Sequence, residues 1–417
     1  MHAVFLWGIW NRVRRGDPDF TVYYTAALML RQGLGPNLYD PDSQLQVQRQ
    51  FTSDSDIRRG PLPYIHPPFE ALFFLPLTFL PYPAAYVAWN LINLGMLIGV
   101  LVILRGCLPG LAKVPLGITI FAALAFFPVL ANFHQGQDAI LLLLLCVIAF
   151  SSAGRGHYFV AGCWLGLGSF KFQFVVPIAL LWIWWFLRSG SNPRNATPNG
   201  LGRAPIWRTP TWSFMASGFV TVAGAAAALS VAIVGWSQAL RYPAFSWRII
   251  SSVRLGGLPA RSMPNLLGLI CGWPATENAE WARVLAVVFC CAVFVLVAGL
   301  RVPDSQTLHL AIACSVVTSV LISYNTNTYD LALLILPLAL LVNFALRASA
   351  PADVAWRLFL PSLPLLISPL WFFLWLVWLR TNLMGLFLLG WLFFVWREAR
   401  LVGRDYSLQT SPVSEFR

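Results

Sequence analysis

Apolar runs recur along this chain from Ala84 to Trp396, mostly at intervals of roughly 20 to 40 residues, and no polar domain separates them. A helix needs about 20 residues to cross the hydrocarbon core. That length places helices near 84–104, 114–132, 138–153, 212–236, 281–300, 307–324, 328–346, 358–378 and 382–397. The stretch from Tyr158 to Leu187 is too long for one upright helix. Gly166, Gly168, Ser169, Lys171 and Gln173 interrupt it, which predicts two short helices meeting near Lys171.

The polar segments carry their own pattern. Phe20 to Gln32 is helix-like and is stopped by Gly33, Gly35 and Pro36; Asp40 or Asp42 then caps a second short helix from Ser43 to Phe51. Prolines 61, 63, 67 and 68 precede the apolar run Phe69 to Leu80, which is too short to span and is closed by Pro81 and Pro83. A re-entrant or half-buried element is expected there. Another is expected at Met263 to Gly272, opened by Pro264. The first apolar stretch, Ala3 to Trp10, reads as a shortened span rather than a cleavable leader, since Arg12, Arg14 and Arg15 follow it.

Composition agrees with the pattern. The 417 residues are 58% hydrophobic and 11% charged, too little polar surface for a water-soluble globule of this size. One polytopic membrane domain over 1–417 is expected, all-α, with about 11–12 transmembrane helices when the shortened start is counted. Its polar parts are a first outer loop at 13–70, a cytoplasmic loop at 188–211 and a cytoplasmic tail at 398–417. The net charge of +12 points to orientation and anionic membrane lipids, not to nucleic acid. The positive-inside rule puts Arg105, Lys113, Arg155, the loop from Arg188 to Arg208, Arg301, Arg347 and the tail on one side of a cell (plasma) membrane. Arg241, Arg248, Arg254 and Arg261 fall on the opposite, outer side. They bind something anionic there, or the topology slips at that point. The sequon at Asn195 falls on the cytoplasmic side and carries no weight. The seven cysteines have no metal-type spacing and read as small packing residues.

Carboxylates near the membrane are costly and mark candidate chemistry. Asp17, Asp19, Glu70, Asp138 and Asp330 qualify. Asp19 opens the first outer helix, where it is either an N-cap or a general base that takes a proton from an attacking hydroxyl. Asp330 follows the polar run Ser323 to Tyr329 and is a helix cap or a substrate contact; Glu70 and Asp138 each begin a helix, where charge suits the dipole. Lys171, between Phe170 and Phe172, either snorkels to the interface or meets a lipid-linked phosphate, with Arg254 and Arg261 assisting. His66 and His134 are donors to a sugar or phosphate, or interfacial residues with no such role. No phosphate-cradling glycine loop, nucleotide fingerprint or His/Cys metal cluster stands out by spacing, so no cofactor is expected and any donor must arrive activated, on a lipid.

Asp19-Phe20, Tyr23-Tyr24, Gly33, Leu38-Tyr39-Asp40, Pro67-Pro68, Gly136-Gln137 and Lys171 appear in an order that resembles glycosyltransferase family 87 over roughly residues 16–345. The resemblance implies the C-type multi-spanning glycosyltransferase architecture. It also implies inverting transfer of a hexose, mannose first, from a polyprenyl-phosphate sugar donor to a lipid or glycan acceptor on the outer face. Asp19 inherits the role of base, and Lys171, His66, His134, Gln137, Tyr329, Asp330, Arg254 and Arg261 that of substrate contacts. Where the family pattern carries Ser-Pro and one or two His before a late span, this chain has Ser323-Tyr324 and Tyr329-Asp330. A transporter or lipid-linked-sugar flippase is the alternative; it calls for charges near the midplane and related halves. A structural subunit of an envelope complex, with Asp19 as a mere cap, is a third.

Overall fold

In the computed structural model, residues 12–52, 62–190, 211–251, 258–273, 275–276, 279–347, 352–366 and 382–409 are described. Expectations for the chain start, for Asn195 and most of the 188–211 loop, for Arg254, for 367–381 and for the end of the tail lie outside them.

Among the described residues every regular element is helical. The principal helices are α1 Phe20–Arg31, α2 Pro41–Gln48, α3 Tyr82–Cys107, α4 Leu116–Ala125, α5 Phe127–Gln135, α6 Ala139–Gly154, α7 Tyr158–Leu167, α8 Phe172–Gly190, α9 Thr211–Val234, α10 Trp236–Ile250, α11 Glu280–Ala298, α12 Ser305–Ile322, α13 Ile335–Arg347 and α14 Met384–Gln409.

Local chemistry sets the boundaries. Gly33 (φ 75°) ends the turn after α1. Asp40 rather than Asp42 caps α2, its carboxylate accepting from the Ser43 amide at 3.0 Å. Pro81 precedes α3, and Pro83 sits in its first turn, where a missing N–H costs nothing. The proline-bounded run after Pro67 is short and broken: a 3₁₀ turn at Pro68–Glu70, one α turn at Ala71–Phe74 and another 3₁₀ turn at Leu75–Phe79. The second expected half-buried element is the short helix Leu266–Cys271, capped by the Asn265 side chain.

Among the described residues five helical runs are long and apolar enough to cross a membrane, or six with the bent pair α4–α5, where about a dozen spans are expected of the whole chain. The apolar segments counted from sequence are in part broken or shortened. A 67° bend at Phe126 divides α4 from α5, while Ala139–Gly154 and Gln306–Ile322 fall below full-span length. By length alone Tyr158–Arg188 passes as one span of 31 residues. Its ends nevertheless meet: the rings of Tyr158 and Phe186 lie 5.3 Å apart, where a straight helix would hold them about 42 Å apart. The chain therefore turns back through the 3₁₀ segment Gly168–Lys171, as the glycines and Lys171 predict.

This hairpin returns Arg188 to the end from which α7 started. Arg188, Arg301 and Arg400 surround one hollow there. At the other end Asn265 donates to the Ser323 carbonyl at 2.7 Å. The helix α12, about 27 Å long by its rise per residue, separates Arg301 from Ser323. The groups divided by the arginine pattern thus lie at opposite ends of the bundle.

Close packing fixes the height of the hairpin. α7 and α9 touch at glycines: a Cβ on Gly162 would lie 2.1 Å from the Met215 carbonyl oxygen, and one on Gly218 at 2.1 Å from that of Phe159. Above them α1 is held by a second, aromatic core in which Tyr23 stacks on Phe74 at 4.5 Å and Phe20 meets Tyr86 edge-on at 5.8 Å.

Candidate active site

The break between α5 and α6 begins the site. Gly136 adopts a left-handed conformation (φ 60°), and a Cβ there would lie 2.7 Å from Phe20 Cβ, so only glycine lets this turn press against α1. Gln137 follows and is fixed on every side. Its backbone oxygen accepts from Trp89, Asn93 and Asn132. Its side-chain oxygen accepts from the Tyr23 hydroxyl at 2.6 Å, and its amide nitrogen donates to Asp19 Oδ2 at 2.8 Å. Asp19 caps nothing with its side chain. It is half-buried, held by Gln137 and by the phenol of Tyr329, while its own amide donates to the Gln135 side chain at 3.1 Å.

Behind Asp19 lies a buried charge cluster. Lys171 Nζ sits 2.8 Å from Asp138 Oδ1 and 2.6 Å from Asp330 Oδ1, with only 4% of its side chain exposed. This differs from the expectation that Lys171 snorkels to the interface. It does not snorkel, and its charge is already matched by two carboxylates before any phosphate arrives. Asp330 does cap its helix, in a reciprocal box with Asn327, and uses its other oxygen for Lys171. Asp138 makes no side-chain cap. Burial pushes the His66 imidazole down to about 4, so it is neutral at pH 7; its Nδ1 lies 3.1 Å from Glu70 Oε2. Burial and the neighbouring Asp138 carboxylate push the Tyr23 phenol well up, which keeps it a donor.

Asp19, His66, Gln137, Lys171, Tyr329 and Asp330 line one cavity of about 230 Å³, together with Tyr23, Phe170, Tyr324 and Asn327. The other expected contacts are not brought there. His134 ends α5 and gives its carbonyl to the Tyr86 hydroxyl, outside the cavity lining. Arg261 is exposed in the 3₁₀ turn Ala260–Ser262, where its carbonyl accepts from the Asn382 amide. Arg241 and Arg248 flank a second hollow at this same end with Tyr39 and Tyr242. Sequence reasoning missed Tyr23 as a positioning group, and Glu70 and Asp138 as cluster members. Adjacency of Asp138 to Gln137 and an acid inside Pro-Pro-Phe-Glu were the available signals.

Multiple spans, surface helices at one end and a half-buried carboxylate over a polar, acid-lined cavity define an all-α membrane protein of the C-type architecture with a site at one end. A family model described as glycosyltransferase family 87 matches residues 64–323, and the chain belongs to that family of membrane glycosyltransferases. No curated protein matches the chain. His66, Gln137 and Lys171 lie inside the matched segment, and Asp19, Tyr329 and Asp330 outside it.

Proposed function

We propose that the chain transfers a hexose, mannose first, from a polyprenyl-phosphate donor to a hydroxyl of a lipid or glycan acceptor, on the outer face of the cell membrane and with inversion. The observation that carries this is Asp19: a half-buried carboxylate on the cavity wall, aimed by Gln137 and Tyr329 rather than spent on a helix cap. In the transfer, Asp19 takes the acceptor O–H proton as that oxygen attacks the anomeric carbon. The bond from that carbon to the phosphate oxygen breaks, and its electron pair leaves with the lipid phosphate. A preset carboxylate lowers the barrier because its orientation is fixed before substrate binds.

The sugar and the acceptor are tested together. Purified protein in liposomes, given polyprenyl-phosphate mannose and extracted membrane lipids, should yield a mannosylated lipid or glycan. Asp19→Asn should fold normally and lose at least about 100-fold in turnover, the lower range for removal of a general base. Undiminished transfer by Asp19→Asn would overturn the base assignment. Transfer only from a different lipid-linked sugar would overturn mannose.

A further inference from the structure

We propose that His66, Glu70 and Asp138 form a divalent-cation site in the cavity wall. Each offers a ligand atom, and these atoms all lie within 4.8 Å of one another. A cation about 2.0 to 2.3 Å from each ligand requires spacings of this kind.

The carboxylate oxygens are divided between two tasks. Tyr64 donates to Glu70 Oε2 at 3.3 Å, and Lys171 and Tyr23 both reach Asp138 Oδ1, at 2.8 and 3.2 Å. The remaining oxygens, Glu70 Oε1 and Asp138 Oδ2, are fully buried and receive a hydrogen bond from no other residue, while the two carboxyl groups lie within hydrogen-bonding reach of each other. Two such oxygens in a dry interior are costly unless something positive lies between them. The wider cluster says the same. Three buried carboxyl groups, Glu70, Asp138 and Asp330, share one ammonium, that of Lys171; with all three ionised they would carry a net charge of −2. One divalent ion neutralises it.

An imidazole with two carboxylates suits a borderline or hard divalent ion such as Mn²⁺. Three protein ligands leave coordination positions for water or for an oxygen of a bound phosphate. His66 lines the cavity and the two carboxylates stand behind it, so such an oxygen would come from the cavity side. That last role rests on the proposed function; the cation site does not. The competing arrangement is a proton shared between Glu70 Oε1 and Asp138 Oδ2, which would satisfy both oxygens without a metal.

The test uses the full chain in nanodiscs of phosphatidylcholine, stripped with a chelator and titrated with Mn²⁺ while free Mn²⁺ is read by electron paramagnetic resonance. The expected result is one Mn²⁺ per chain, with nitrogen hyperfine coupling from His66. Glu70→Gln should weaken binding at least about tenfold, and His66→Ala should remove the nitrogen coupling. Wild-type protein that binds no Mn²⁺ at millimolar concentration would overturn the site in favour of the shared proton, whatever the variants do. So would binding that Glu70→Gln and His66→Ala leave unchanged. No donor or acceptor is present, so failure of the transfer chemistry leaves this measurement intact, and the reverse holds as well.

Discussion

Replacing Lys171 by Met separates a buried charge triad from a snorkelling lysine. Met keeps most of the apolar stem and removes only the ammonium, which lies 2.8 and 2.6 Å from its two carboxylate partners. At an effective dielectric near 20, two unit charges about 4 Å apart attract by about 4 kcal/mol, and much of that offsets the burial of the charges. What survives in a variant is the cost of the partners left behind. Removing one member of a buried pair typically costs about 3–5 kcal/mol, and here Asp138 and Asp330 are both stranded, at most 5% exposed. Lys171→Met should therefore lose about 3–5 kcal/mol, seen as a fall of several degrees in the unfolding midpoint of the detergent-solubilised protein by tryptophan fluorescence. Adding Asp138→Asn and Asp330→Asn should recover part of the loss, because the stranded charges go with the lysine. A Lys171→Met midpoint within a degree of wild type, or a triple variant no more stable than the single one, would refute the triad as a structural unit.

Two further substitutions probe the elements that position the site. Gly136→Ala combines a strained left-handed backbone with a Cβ placed 2.7 Å from Phe20 Cβ, so it should both destabilise by about 1–3 kcal/mol and reduce transfer by shifting Gln137; thermal unfolding and a transfer assay read the two effects. Asp40→Ala should cost about 1 kcal/mol at pH 7 through loss of the α2 cap. The two Ser43 hydrogen bonds hold the Asp40 carboxyl below the usual carboxylate range. Its contribution is therefore fully present above the unfolded value near 4 and disappears as pH falls through the lower folded one. Unfolding midpoints of wild type and Asp40→Ala should converge in strong acid; a gap that persists at low pH would count against the carboxylate as its source.

Features set by neighbours in sequence were legible beforehand. Gly33 closing α1, the helix beginning after Asp40, and the turn at Lys171 each follow from residues within a few positions of the event. The division of polar residues between the two ends of the bundle was legible too, because arginines gather at span ends. What was not legible depends on partners far along the chain. Lys171 meets Asp330 across 159 positions, and Asp19 meets Gln137 across 118. Nothing local tells whether a lysine among phenylalanines will find lipid headgroups, a phosphate or two carboxylates. The same distance hides the His66, Glu70 and Asp138 cluster: a search for close ligand spacing sees an i, i+4 pair at most, and the third member arrives on another helix. His134 and Arg261 lie outside the cavity lining for a related reason: which polar residues at this end of the bundle reach the cavity is set by packing between segments distant in sequence.

The hairpin of α7 and α8 carries a consequence for how the protein is made. Its tip places Lys171 among apolar helices well before Asp330 has been synthesised, and at about 5–20 residues per second the 159 positions between them correspond to roughly 8 to 32 seconds. Through that interval the lysine has Asp138 but not Asp330 as a salt-bridge partner. The later arrival of Asp330 sets a second carboxylate beside the ammonium. The charge balance around this ammonium is thus completed only by the last third of the chain, and a nascent protein halted before residue 330 would hold Lys171 with one salt-bridge partner in place of two.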